Sequence, residues 1–156
     1  PSRDAGVYDP STNTWRLMPR SPGLATFLPD PVWTGREMFS WGWNNQVPDS
    51  PLASSSLTLD PATGEWHTAA ATPIEFVDRS LKISPQIEWT GDRVLAWTGG
   101  VDGTGLLLAY DPSTDLWVRL APAPIDASYA SVVWAGNSLF VFPSAPEQPN
   151  LAFGPP

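Results

Sequence analysis

Cysteine is absent from the 156-residue chain, which removes a disulfide framework, a thiolate zinc site and a cysteine nucleophile together. The core must therefore be held by packing alone. Basic residues are scarce as well. Eight Lys and Arg stand against sixteen Asp and Glu, a formal net charge of -8, so the chain lacks the clustered cations that track phosphates, and nucleic acid is not expected as a partner. Histidine occurs once, at His67. No apolar run approaches the roughly 18 residues that a membrane-spanning helix requires. The opening residues, Pro1-Ser2-Arg3-Asp4-Ala5, lack the basic-then-apolar order of an export signal, and the chain is expected to begin inside a longer protein. Nor is there a glycine-rich phosphate loop, a paired-histidine motif or a nucleophile elbow.

What the chain does have is turn formers and bulky apolar fillers. Nineteen prolines, twelve glycines and nine tryptophans predict many short strands joined by tight turns, an all-β habit with no long helices. The 42% hydrophobic content is enough to build a core at this length.

An internal repeat organises these residues. Tyr8-Asp9-Pro10-Ser11-Thr12-Asn13-Thr14-Trp15 returns as Leu59-Asp60-Pro61-Ala62-Thr63-Gly64-Glu65-Trp66 and as Tyr110-Asp111-Pro112-Ser113-Thr114-Asp115-Leu116-Trp117, each 51 residues after the last. The segment has the chemistry of a strand-to-strand turn. Asp binds backbone N–H groups just ahead of it, Pro fixes φ near -65°, and Thr braces the loop. Asn13, Gly64 and Asp115 belong to the residue types that best tolerate positive φ, which is expected at all three. The Trp opens the next strand and is placed to fill the space between neighbouring sheets.

A second element alternates with the first: Trp33-Thr34-Gly35-Arg36, Trp89-Thr90-Gly91-Asp92 and Trp134-Ala135-Gly136-Asn137. Gly-x between two strands suits a two-residue hairpin with positive φ at its first central position. The strands that follow, Met38-Phe39-Ser40-Trp41, Val94-Leu95-Ala96-Trp97 and Leu139-Phe140-Val141-Phe142, are more continuously apolar than alternating, as expected of strands covered on both faces.

Each repeat thus reads as four strands: an inner strand A, the W-x-G hairpin into B, a variable loop, C ending in D-P, the turn, and D opening with Trp. The pattern resembles the kelch family of β-propellers, in its divergent bacterial form and like the central domain of the galactose oxidases. That family shares a glycine pair after B, a Tyr near the end of C and a Trp in D. The glycine pair survives here only as Gly99-Gly100, with Gly42-Trp43 and Pro143-Ser144 at the matching places. Pro29, Pro31 and Pro85 in the inner strands are tolerable where a strand borders a channel and has one unpaired side.

The resemblance implies a partial propeller of about three four-stranded antiparallel blades, one of them split between the termini. Residues 1–20 would supply strands C and D, 21–70 and 71–121 two full blades, and 122–156 strands A and B, with Leu151-Ala152-Phe153 starting a further C. Kelch propellers close with about six or seven blades, because each sheet must cover both faces against a neighbour. The expected partners are therefore the remaining blades of a longer chain, or a second copy whose C and D strands complete A and B of the first.

In such a fold the B-to-C and D-to-A loops emerge on one face, where binding residues gather. Trp43 replaces a framework glycine just before Asn44 and Asn45, an aromatic and amide cluster suited to gripping a sugar or a peptide. Burial of Trp43 under its own loop is the alternative. Glu75 and Arg79, with Asp78 and Lys82, fall in a D-to-A connection, where the resemblance implies channel-facing ligand contacts; a solvated loop with local ion pairs is the plainer account. Asp102 is a weaker candidate of the same kind, and His67 is expected at the surface.

The family includes copper-dependent sugar oxidases and a sialic acid mutarotase. The former need several histidines and a thioether-forming cysteine, which this chain could not supply. The latter needs only acid and base groups, which Glu75 and Arg79 could provide. The expectation is a non-catalytic module that binds a protein or sugar ligand, with no cofactor and no metal, and a carbohydrate-acting enzyme is the alternative. Composition and resemblance together favour a secreted or cell-surface setting.

Overall fold

The structure, a computed structural model, describes residues 5–22, 31–43, 54–72, 85–99, 105–125, 130–143 and 151–153. These residues form thirteen strands in four antiparallel sheets, and among them there is no helix long and apolar enough to cross a membrane. Every sheet is a simple meander. The first holds β1 (Ala5–Asp9) and β2 (Thr14–Met18); the second holds β3 (Val32–Trp33), β4 (Met38–Trp43), β5 (Ser54–Leu59) and β6 (Trp66–Ala69). The third holds β7 (Gln86–Trp89), β8 (Val94–Gly99), β9 (Gly105–Asp111) and β10 (Leu116–Arg119); the fourth holds β11 (Ala130–Ala135), β12 (Ser138–Pro143) and β13 (Leu151–Phe153).

The turns follow from their residues. The Asp9 carboxylate accepts the Ser11 N–H at 2.8 Å and its hydroxyl at 2.7 Å, and Asp111 does the same with Ser113. Asp60 accepts the Ala62 N–H at 2.7 Å. Asn13, Gly64 and Asp115 adopt φ of 54°, 79° and 55°, as their chemistry predicts. In the W-x-G hairpins the glycine stands at the first central position with φ of 90°, 108° and 72°, which a side chain would oppose. Thr34 and Thr90 close the first two hairpins through backbone and hydroxyl bonds to Glu37 and Arg93.

The third sheet explains why these strands are apolar without alternation. Val94 and Ala96 of β8, with Leu106, Leu108 and Tyr110 of β9, pack against Phe39 and Trp41 of the second sheet. The intervening residues Leu95, Trp97, Leu107 and Ala109 pack against Leu139 and Val141 of the fourth. Both faces of one sheet are thus buried, which demands an apolar residue at every position rather than every second one. Each fully buried Leu or Phe is worth roughly 1.5–3 kcal/mol, so these two interfaces carry most of the stack.

A repeated polar link fixes the sheets to one another. The Trp117 indole N–H donates to the Ala70 carbonyl at 2.9 Å, and the Trp66 indole N–H donates to the Pro19 carbonyl at 2.9 Å, 51 residues earlier in both partners. Where the acceptor residue has an N–H, the turn residue uses it: Asp115 accepts the Ala70 N–H at 2.7 Å and the Tyr110 hydroxyl at 2.9 Å. Pro19 has no N–H, and the matching turn residue is Gly64, where a Cβ would lie 3.1 Å from the Pro19 ring. Arg16 adds a bond from the first sheet to the Pro61 carbonyl of the second.

β1 and β2 form their own two-stranded sheet, and β13, at the Leu151-Ala152-Phe153 segment read from sequence as the start of a further C strand, pairs with β12 as third strand of the fourth. The repeat accounts for this pairing. Leu151-Ala152-Phe153 matches Leu108-Ala109-Tyr110, and Phe153 sits opposite Leu139 as Tyr110 sits opposite Val94. The place that a second copy's C strand would take is held, at these residues, by the chain's own β13. Among the described residues the sheets stack in series and form no closed ring.

Candidate functional site

Antiparallel meanders divide the stack into two rims. One carries the D-P turns and the W-x-G hairpins. The other carries the ends of β4, β8 and β12, where Trp43 lies opposite Ser54, Gly99 opposite Gly105, and Pro143 opposite Ala130. The connection after β10 returns to this second rim: the Gly105 N–H donates to the Ile125 carbonyl at 3.0 Å and the Ala123 N–H to the Gly105 carbonyl at 3.4 Å. B-to-C and D-to-A connections therefore meet at one end of the sheets.

Of the residues singled out from sequence, Trp43 closes β4 on that rim, as seen from its backbone pairing. Asn44, Asn45, Glu75, Arg79 and Asp102 lie outside the described residues, as do Asp78 and Lys82. His67 is exposed on β6, opposite Thr58, at the outer edge of the second sheet.

The turn rim is polar, and its carboxylates are engaged in its own architecture. The Ser11 hydroxyl and N–H hold Asp9 below the usual carboxylate range, and the Ser113 hydroxyl and N–H do so for Asp111. Asp92 is lowered by the Thr90 hydroxyl and, more weakly, by Arg93 at 3.3 Å. No group of three His, Cys, Asp or Glu side chains among the described residues could hold a metal ion.

Two features escaped the sequence reading. The first is a cleft of about 440 Å³ between the first and second sheets, walled by Val7, Trp33, Met38, Leu59 and Trp66. It exists because β1 and β2 cover the outer strands of the second sheet and leave the inner ones open. Trp33 is 47% exposed, whereas Trp89, its counterpart one sheet on, packs against the core. Aromatic walls of this kind suit an apolar side chain or a sugar face, and the cleft brings no acid–base pair together among the described residues.

The second is Glu88, on the inner strand β7 and facing the fourth sheet. Burial raises its carboxyl above the ordinary value, against the opposing effect of the Trp134 N–H that it accepts. Nothing in the repeat marks it, because the inner strands share only their Trp. No protein-family model matches the chain, and a search of curated proteins returns no relative.

Proposed function

We propose that the chain is a section of a kelch-like β-propeller acting as a non-catalytic binding module, which offers the B-to-C and D-to-A loops of one rim to a protein or a sugar. The observation that carries this reading is the link repeated at 51 residues, Trp66 to Pro19 and Trp117 to Ala70. It locks successive sheets face to face, and loops displayed on a rigid stack are pre-organised for recognition. The turn rim supports the same choice by contrast, since its polar groups already bond one another. In this reading further sheets, from the remainder of a longer chain or from a second copy, cover the two ends of the stack.

Titration with a panel of sialic acid and related sugars, followed by tryptophan fluorescence, tests the sugar arm; capture of a partner from solution by the immobilised protein tests the protein arm. Binding is expected to be lost in Trp43→Ala and weakened in Asn44→Ala and Asn45→Ala, and kept in Asp92→Ala on the opposite rim. Loss in Asp92→Ala with retention in Trp43→Ala would assign the function to the wrong rim and overturn the proposal. Accelerated anomer exchange of a bound sugar, abolished by Glu75→Gln or Arg79→Ala, would replace it with a mutarotase-type enzyme.

A further inference from the structure

The internal interface between the second and third sheets has two halves, and each half recurs exposed at one end of the stack. On the receiving half, the Tyr110 and Trp117 rings lie 5.2 Å apart at 42°, with the Tyr110 hydroxyl held by Asp115 at 2.9 Å. The first sheet repeats this arrangement: the Tyr8 and Trp15 rings lie 5.2 Å apart at 43°, with the Tyr8 hydroxyl donated to Asn13 at 2.8 Å. In the third sheet the surface is covered, with Phe39 stacked on Tyr110 at 4.7 Å and Trp41 against Trp117 at 5.2 Å. In the first it is open, with Trp15 73% and Leu17 83% exposed.

The covering half is the strand B pair of aromatics two residues apart, Phe39 and Trp41. Its counterpart in the fourth sheet is Phe140 and Phe142 of β12, rings 6.5 Å apart and nearly parallel. Leu139 and Val141 of the same strand face the third sheet, so alternation turns Phe140 and Phe142 outward, beside the 44% exposed Val133 of β11. The two ends are thus the two halves of an interface that the chain has already built once inside itself.

We propose that copies of this chain associate head to tail, the Phe140 and Phe142 face of one seated on the Tyr8 and Trp15 face of the next. The occupant is a second copy because the matching half is present on the same molecule, and because the contact continues the established series of sheet-to-sheet interfaces. The contact is heterologous, closing into a ring or running on as an open chain according to the angle per copy. It leaves β13 in place, unlike an exchange of strands. This proposal goes beyond the binding reading and rests on the end faces, not on the loop rim, so either can fail alone.

The test uses the whole chain and two substitutions at exposed positions, Trp15→Lys and Phe142→Lys, with far-UV circular dichroism to show that both variants fold. Light scattering should show concentration-dependent association of the unaltered protein. Each variant alone should be monomeric, its dissociation constant raised at least tenfold, because one half of the contact is blocked. An equimolar mixture should recover a defined 1:1 dimer, since each variant supplies the face that the other lacks. A monomeric unaltered protein, association that neither substitution relieves, or a mixture that stays monomeric would each overturn the proposal.

Discussion

Trp15 and Trp117 occupy the same place in the same motif and make the same contact with a tyrosine seven residues earlier, yet Trp15 is 73% exposed and Trp117 8%. The comparison separates what the motif does from what its neighbour does. The turn, the positive φ and the Tyr–Trp pair form at the first sheet, outside which no further sheet lies among the described residues. The burial, the indole bond to a carbonyl and the second bond to Asp115 come from the adjoining sheet. Local chemistry shapes each sheet, and stacking supplies the stability, as expected of an array in which each unit contacts its neighbours.

The sharpest break in this comparison is Trp117→Ala set against Trp15→Ala. Removing Trp117 opens a cavity among Phe39, Trp41 and Tyr110 and leaves the Ala70 carbonyl without its indole donor. A loss of about 3–5 kcal/mol is expected, a large part of the stability of an ordinary domain. Trp15→Ala should cost under about 1 kcal/mol in dilute monomer, where an exposed ring resting on Tyr8 is lost. Urea denaturation of both variants measures the difference, and equal losses would show that the sheets do not stack as described.

Next in size is the exchange of turn residues. Asp115→Ala strands the buried Tyr110 hydroxyl and the Ala70 N–H together, at a cost of about 1–3 kcal/mol, and Asp115→Asn should restore most of it. Asn13→Ala loses one exposed bond and shares with Asp115→Ala the strain of alanine at positive φ, so it should cost about 1 kcal/mol and less than Asp115→Ala. The second repeat allows a transplant. Gly64→Asp alone meets the Pro19 ring and finds no N–H, and so destabilises; joined to Pro19→Ala it acquires the partner that Asp115 has in Ala70. Favourable coupling of about 1 kcal/mol in a double-mutant cycle is the expected result, and strict additivity would refute the link between the two positions.

A smaller effect appears in alkali. Burial first, and the Asp115 carboxylate second, raise the Tyr110 hydroxyl far above its ordinary value of 10.0. The folded state therefore keeps this proton at a pH where the unfolded chain releases it, so the contribution is fully present below pH of about 10 and is lost as pH rises beyond it. Stability should fall above about pH 10, and Tyr110→Phe should flatten that slope, read from unfolding curves taken at intervals of pH. A slope unchanged in Tyr110→Phe would place the titrating group elsewhere.

Much of this architecture was legible in the chain, because its cause is local. Asp before Pro, a positive-φ residue and a Trp at constant spacing are turn chemistry, and the turns appear where the letters put them. The assignment of β13 was legible in the same way, since Leu151-Ala152-Phe153 copies Leu108-Ala109-Tyr110. What could not be read was pairing in space. Nothing in the sequence says that Ala70 answers Asp115 while Pro19 answers Gly64, although the shared 51-residue offset would have suggested a search for such partners. The open cleft at Trp33 was hidden for a related reason: Trp33 and Trp89 are the same letter in the same motif, and only the extent of the neighbouring sheet separates them.

Glu88 makes the same point with a charge. Its backbone neighbours are those of any inner strand, and its altered proton affinity comes from the fourth sheet packed across it. Because its folded value is raised by burial, protonation favours the folded state. The contribution is fully present below the unfolded value, near the ordinary carboxylate range, and is lost as pH rises through the folded one. Glu88→Gln keeps an oxygen for the Trp134 N–H and removes the charge. At pH 7 it should equal or slightly exceed the parent in stability, by no more than a few tenths of a kcal/mol because the group is partly solvated. Below about pH 4 the two should converge. If Glu88→Gln were instead destabilising at pH 7, the carboxylate would have to be gaining a cation not found beside it among the described residues, and the burial described for it would be wrong.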